Sequence, residues 1–235
     1  MTPKYRAALF DLDDTIFDHQ AHRREALSAV ARNIPALSQT DVHDLEAAHD
    51  IHLQLTHGAM LEGSLSVAEA RTKRMRGLLS DFGVEVDCER IYREAYDREW
   101  RAVPGARDLL QSLREWDVWI GIITNGYWSE QSAKLQKLGL EAVVNELIVS
   151  ELVGSKKPAR EFFSYAVARA GFAPRECVVV GDLWDVDIQG ALDSGLDSIW
   201  LNRYDRTYEP RPTVVEIKAL TPTDAMLRLF FNGAT

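Results

Sequence analysis

From Val118 onward the chain alternates short apolar runs with stretches of helical period, and nothing else in the sequence constrains the fold as tightly. Val118–Ile123 (VWIGII), Leu147–Val149, Cys177–Val180, Ser198–Leu201 and Val214–Ile217 read as strands. Helices are expected over Ser129–Leu138 and Arg160–Ala170, through Ala191, and over Thr223–Phe231 after Pro222. A further apolar run, Ala7–Phe10, stands alone near the start. Such runs lack polar alternation, as do parallel strands covered by helices on both faces. The expected class is α/β, with a Rossmann-like parallel sheet as core.

Residues 17–102 break this pattern. Helical periods cover Arg23–Ala31, Asp41–Leu55, Val67–Phe82 and Glu89–Trp100, with Gly58, Gly63 and Gly83 as punctuation and few strand signals. Residues 1–16 and 103–235 are therefore expected to form the catalytic core, and 17–102 an inserted helical cap. The chain would re-enter the core near Pro104-Gly105, where proline ends one helix and the next begins. An insert placed directly after the first strand would stand over that strand's carboxyl end, the place for a lid.

Composition narrows the partners. A formal net charge of −9 argues against nucleic acid and anionic membranes. Cys88 and Cys177 are isolated, so no disulfide framework is expected and a reducing cytoplasm is the natural compartment. Met1–Arg6 lacks the apolar core of a signal peptide, and no run approaches the ~18 apolar residues of a membrane span.

The chemistry sits at strand ends. Asp11-Leu12-Asp13-Asp14-Thr15 follows Ala7–Phe10 directly, which puts two carboxylates where α/β sheets bind ligands. Anions this close need compensation by a divalent cation, a shared proton or a lysine. Thr124-Asn125-Gly126 follows VWIGII, Lys157-Pro158 follows the strand near Leu147, and Gly181-Asp182 with Asp187 follows Cys177–Val180. In a parallel sheet all four segments share one edge.

Together they suit phosphoryl transfer. Asp11 is the candidate nucleophile, attacking phosphorus to give an acyl phosphate. Asp13 is the candidate general acid and then general base. Mg²⁺ would take ligands from Asp11, Asp182 and Asp13, the last through its main-chain carbonyl, with Asp187 supporting from behind. Lys157 offsets the crowded carboxylates and faces the phosphate. Thr124 and the N–H groups of Asn125 and Gly126 would donate to phosphoryl oxygens. Taken singly each segment is weak: Asn-Gly favours turns, and Asp182 and Asp187 are also ordinary helix-start acids.

In this order DLDDT, ITNG, KKP and GDLWDVDIQGA resemble the haloacid-dehalogenase-like hydrolases, and the resemblance spans nearly the whole chain. It implies a helical-cap phosphatase; GIITNG, VSELVGSKKP and WLN are similar to 5′-nucleotidase-like and N-acylneuraminate-phosphatase-like members. It also implies Asp11 as nucleophile, Asp13 as acid/base, Thr124 and Lys157 at the phosphate, and Asp182 and Asp187 as the acidic pair. The activity implied is Mg²⁺-dependent hydrolysis of a small-molecule phosphate ester through an aspartyl-phosphate. The ester is open among nucleotides, sugar phosphates and phosphoglycolate-like acids.

A phosphomutase shares this core, and a 2-haloacid dehalogenase shares the nucleophile but needs neither the metal nor Asp13. A receiver-like signalling module would lack the large insert. Trp184 stands where many relatives carry a small or polar residue, and is expected against the lid or the pocket. His19 and His22 read as a hinge or solvated helix start, and His43, His49, His52 and His57 as surface or lid residues without metal-ligand spacing.

Overall fold

The apolar runs assemble as the central sheet. In the computed structural model, which describes residues 2–61, 63–209 and 211–232, the strands are β1 (Thr2–Pro3), β2 (Ala7–Phe10), β3 (Trp119–Thr124), β4 (Glu146–Val149), β5 (Cys177–Gly181), β6 (Asp197–Leu201), β7 (Val214–Ile217) and β8 (Phe231–Asn232). Six of them form one parallel sheet in the order β4-β3-β2-β5-β6-β7. Counted by their appearance in that sheet this is the doubly wound order 3-2-1-4-5-6, whose direction reverses between β2 and β5. Every residue of β2 and β5 is buried, as a central strand with helices on both faces requires.

The helices of this unit are α5 (Ala106–Glu115), α6 (Trp128–Leu138), α7 (Ser150–Val153), α8 (Arg160–Ala170), α9 (Gln189–Asp193) and α10 (Thr223–Leu227); numbering starts at α5 because α1 (His19–Asn33), α2 (Val42–Leu61), α3 (Val67–Asp81) and α4 (Glu89–Tyr96) precede them. On one sheet face Ala7, Leu9, Cys177 and Val179 pack against Phe162, Phe163 and Ala166 of α8 and Ala191 of α9. Phe10 stacks on Phe230, with ring centroids 6.3 Å apart.

The chain divides into two compact units, one built from residues up to Asp18 and from Arg101 onward, the other from His19–Trp100. Within the first unit Asp18 N–H donates to Arg101 O at 3.1 Å and Val103 N–H to Ile16 O at 2.8 Å. These bonds and the isolated bridge between Phe17 and Ala102 join the outgoing and returning segments within the first unit.

The second unit contains α1–α4. Its core includes Leu27, Val30, Leu45, Met75, Leu78 and Leu79. Ser66 and Glu69 form a reciprocal capping box at the start of α3. Two expectations fail here. Gly58 lies inside α2, and α4 stops at Tyr96 rather than Trp100. Trp100 instead donates its indole N–H to Tyr96 O at 2.9 Å, satisfying an end carbonyl of the helix. The histidines are also more buried than expected. His22 and His49 are buried, His49 stacks on Tyr92 at 5.8 Å, and burial holds its pKa well below the usual imidazole range. His19 pairs with the Tyr96 hydroxyl at 2.6 Å and His52 with Asp81 at 2.8 Å, while His43 is exposed. The side chain of His57 lies outside the described residues. No described helix is long and apolar enough to cross a membrane.

The expected last helix is cut short. α10 ends at Leu227, and Phe231 pairs in β8 antiparallel to β1. Phe230 and Phe231 are both buried, and Phe230 O accepts from Lys4 N–H at 2.8 Å. Core burial of two aromatic rings outweighs continued helical period.

Candidate active site

Strand register sets the geometry. Phe10 is level with Ile122 on one side and Val180 on the other. Asp11 therefore leaves its strand next to Gly181, and Thr124 and Asp182 lie one residue beyond. The first acid and the later acids emerge from the two strands that flank the topological switch point, where open α/β sheets bind ligands.

Lys157 organises this floor. Its ammonium is buried and donates to Asp11 Oδ1 at 2.5 Å, Asp187 Oδ1 at 2.7 Å and Ile123 O at 2.9 Å, using all three of its donors. Carboxylate oxygens of Asp11, Asp182 and Asp187 lie within 4.8 Å of one another. Asp182 Oδ2 has Arg206 at 3.3 Å, but its buried Oδ1 has no hydrogen-bond partner among the described residues. An orphaned carboxylate oxygen inside a buried oxygen cluster fits a hard divalent cation such as Mg²⁺, for which Asp11, Asp182 and Asp187 are the candidate ligands. Asp187 lies beside Asp11 and Asp182, with one oxygen accepting from Lys157 and the other from Leu183 N–H.

The cluster is under electrostatic load. Burial pushes the Asp11 carboxyl up to about 7, with Lys157 pulling it down and Asp187 pushing it up. Burial, then Asp11 and Asp187, hold Asp182 well above the usual range. For Lys157 burial opposes the ammonium, yet Asp11 and Asp187 outweigh it and raise its pKa. Between the unfolded carboxylate value of roughly 4 and about 7, the native state holds a proton on Asp11 that the unfolded chain has lost. Chelated protein should therefore lose stability as pH rises through that window, and Mg²⁺ should restore more at pH 8 than at pH 5. Calorimetric Tm against pH, with Asp11→Asn as reference, checks this. A wild-type curve parallel to that of the variant would refute it.

A π-helical turn at Trp184–Ile188 aims Asp187 inward, where a regular helix was expected. Leu183 N–H donates to Asp187 Oδ2 at 3.0 Å and closes the turn. Gly181 makes room for it: a Cβ there would lie 2.5 Å from Asp187 Cβ. Gly181→Ala should displace Asp187 and weaken Mg²⁺ binding by about tenfold or more, the usual range for a disturbed metal-site support. Isothermal calorimetry reads this directly; unchanged affinity would mean the acid has room to move.

The turn after β3 is tied to its neighbours by side chains. Thr124 is buried at the sheet edge, with its hydroxyl 3.4 Å from Asn125 O. The Asn125 side chain accepts from Lys157 N–H at 2.9 Å and donates to Lys157 O at 3.0 Å. Gly126 N–H donates to Ser150 Oγ at 3.0 Å. Asn125 and Gly126 thus brace the loops, while Thr124 keeps its hydroxyl near Asp11's end of the sheet.

Asp13 stands apart from the acid cluster. Both of its oxygens accept from Lys134 of α6, at 2.6 and 2.7 Å. Next to it Asp14 adopts φ 61°, a left-handed conformation that costs a non-glycine residue energy, and its N–H donates to Phe17 O at 2.7 Å. Trp184 packs in the core against Trp200, centroids 4.9 Å apart, and against Tyr208. Trp200 in turn donates to Asp182 O at 2.9 Å, so this cluster backs the acid loop.

Three cations escaped the sequence reading. Lys134 shares the buried stripe of α6 with Gln131, Leu135 and Leu138, and a lysine inside such a stripe was the available signal. Arg203 and Arg206 follow β6 at the same sheet edge as the acids. Arg203 pairs with Asp18 at 3.1 Å and Arg206 with Asp182.

A profile of haloacid dehalogenase-like hydrolases matches residues 5–195. The HAD-hydrolase YfnB of Bacillus subtilis is 33% identical over 221 residues, 91% of this chain and 89% of that protein. Pyrimidine 5′-nucleotidase PynA of Streptococcus pneumoniae is 31% identical over 205 residues, 84% of each. The N-acylneuraminate-9-phosphatase of Mus musculus is 25% identical over 238 residues, 92% of this chain and 94% of that protein. A crystal structure of YfnB, bound to magnesium and described as revealing interdomain movement, aligns with a TM-score of 0.75 and 32% identity over 95% of this chain and 99% of its own.

Proposed function

We propose that this chain, which belongs to the haloacid dehalogenase-like hydrolases, is a Mg²⁺-dependent phosphatase that hydrolyses a small phosphate monoester through an aspartyl-phosphate on Asp11. The observation that carries this reading is the buried ammonium of Lys157 held between Asp11 and Asp187, beside the orphaned oxygen of Asp182. Such a floor holds a carboxylate oriented for attack while balancing the charge that a phosphoryl group brings.

In the first step an Asp11 oxygen forms a bond to phosphorus as the ester oxygen leaves. Asp13 gives that leaving oxygen a proton. In the second step Asp13 takes a proton from water, whose oxygen attacks phosphorus and returns Asp11 as a carboxylate. Thr124 donates its hydroxyl hydrogen to a phosphoryl oxygen, and Lys157 faces the same group. Asn125 acts on Lys157 by fixing its backbone. Asp11, Asp182 and the main-chain carbonyl of Asp13 would hold Mg²⁺, with Asp187 in support, and the ion would neutralise phosphoryl charge there. Choice among esters is assigned to the inserted helical unit. PynA and N-acylneuraminate-9-phosphatase are named for a nucleotide and a sugar-acid phosphate, and these are the substrate classes to try first.

Phosphate release across a panel of nucleotide, sugar and short-acid monoesters tests the reading. Release is expected with Mg²⁺, loss with excess chelator, and recovery on adding Mg²⁺. Full turnover in chelator would remove the metal from the scheme. Transfer between hydroxyls with no free phosphate would make the enzyme a phosphomutase.

A further inference from the structure

We infer that Lys134 is a positioning residue for proton transfer: its grip on both oxygens of Asp13 fixes the orientation in which Asp13 meets the leaving group and then water. This rests on the phosphatase reading above and adds a residue to it.

The geometry is specific. Lys134 is buried on the sheet-facing stripe of α6, yet its Nζ reaches 2.6 and 2.7 Å from the two oxygens of Asp13, a residue 121 positions earlier. The same Nζ lies 5.2 Å from the centre of the Phe17 ring, at the other end of the acid loop. A buried ammonium needs a partner, and here the partner is the carboxylate that the reaction needs to keep aimed. The helix makes a second contact with the site, since Gln131 Nε2 donates to Asn125 O at 3.0 Å. One rigid helix therefore braces both the Thr124 turn and Asp13, and sites built on helices hold their geometry better than sites built on loops.

The grip has a second effect. Asp11, Asp182 and Asp187 present oxygens within 4.8 Å of one another, and the carboxylate of Asp13 is not in that group. Held by Lys134, it is drawn toward α6 rather than into the acid cluster. Contact of the Lys134 ammonium with both oxygens keeps the Asp13 carboxylate turned toward α6.

The test is a cycle of wild type, Asp13→Asn, Lys134→Met and the double variant, assayed with saturating Mg²⁺ on the best ester of the panel. Methionine keeps the buried stem and removes the charge. Lys134→Met is expected to lower kcat by about 10- to 100-fold, part of the ~10²–10⁴-fold assigned to general acid–base catalysis, with KM within about twofold. The double variant should match Asp13→Asn, because a residue acting through Asp13 has nothing left to position. Ethylammonium should restore turnover to Lys134→Ala and not to Lys134→Ala/Asp13→Asn. Additive losses in the double variant, or no loss in Lys134→Met, overturn the inference while the phosphatase reading stands. Lack of any ester turnover in the wild type overturns both. Equal unfolding midpoints for wild type and Lys134→Met separate lost positioning from lost fold.

Discussion

Asp11→Asn is expected to lower phosphate release by about 10⁴-fold or more, as removal of a nucleophile does when the rest of the machinery depends on it. An amide oxygen is neutral and does not form the acyl phosphate. The fold should survive. Asparagine has almost the same shape, Asp11 N–H still donates to Val180 O, and an amide oxygen can still accept from Lys157. The variant also loses a carboxyl that burial holds at about 7, so at pH 8 in chelator its Tm should equal or exceed that of wild type. Single-turnover assays with a labelled ester check the chemistry, and acid-quenched wild type should carry label on Asp11. Turnover within tenfold of wild type would remove Asp11 from the reaction.

Lys157→Met should fail in two ways at once. The side chain is of similar length, but Asp11 and Asp187 lose the cation between them. Removing one partner of a buried ion pair typically costs about 3–5 kcal/mol, because the remaining charge has no compensation. Protonation offers the acids a way out, so the loss measured by urea unfolding should be largest at pH 8 in chelator and shrink toward pH 5. Turnover should fall by about 10²–10³-fold or more, the range seen when a preorganised electrostatic group is removed. Stability equal to wild type at pH 8 would mean that the carboxylates are already neutral, and would discredit the charge balance described for the cluster.

Much of the sheet was legible from residue pattern. Ala7–Phe10, Arg160–Ala170 and Val214–Ile217 lie where their apolar content and period place them, because short buried strands and amphipathic helices leave strong local signals. The parallel α/β class follows from their alternation. What escaped was decided at a distance. The end of the last helix depends on Phe230 and Phe231 finding the core near Tyr5 and Trp116. The turn that aims Asp187 is π-helical, and its carboxylate bonds back to Leu183 N–H, a contact that composition does not encode. Asp11, Thr124 and Asp182 were found together because each stands at a strand end and strand ends share an edge, while Lys157 comes from the loop after α7. Lys134 was overlooked because it sits in mid-helix, where only its pairing with Asp13 gives it meaning.

The Asn125 side chain joins two peptide groups of Lys157 to the turn after β3. Neither loop can drift without carrying the other. The backbones that carry Thr124 and Lys157 are therefore joined directly through Asn125. A site built this way has its two loops joined in advance, so under the proposed reaction the phosphate seat would not need assembling in each cycle.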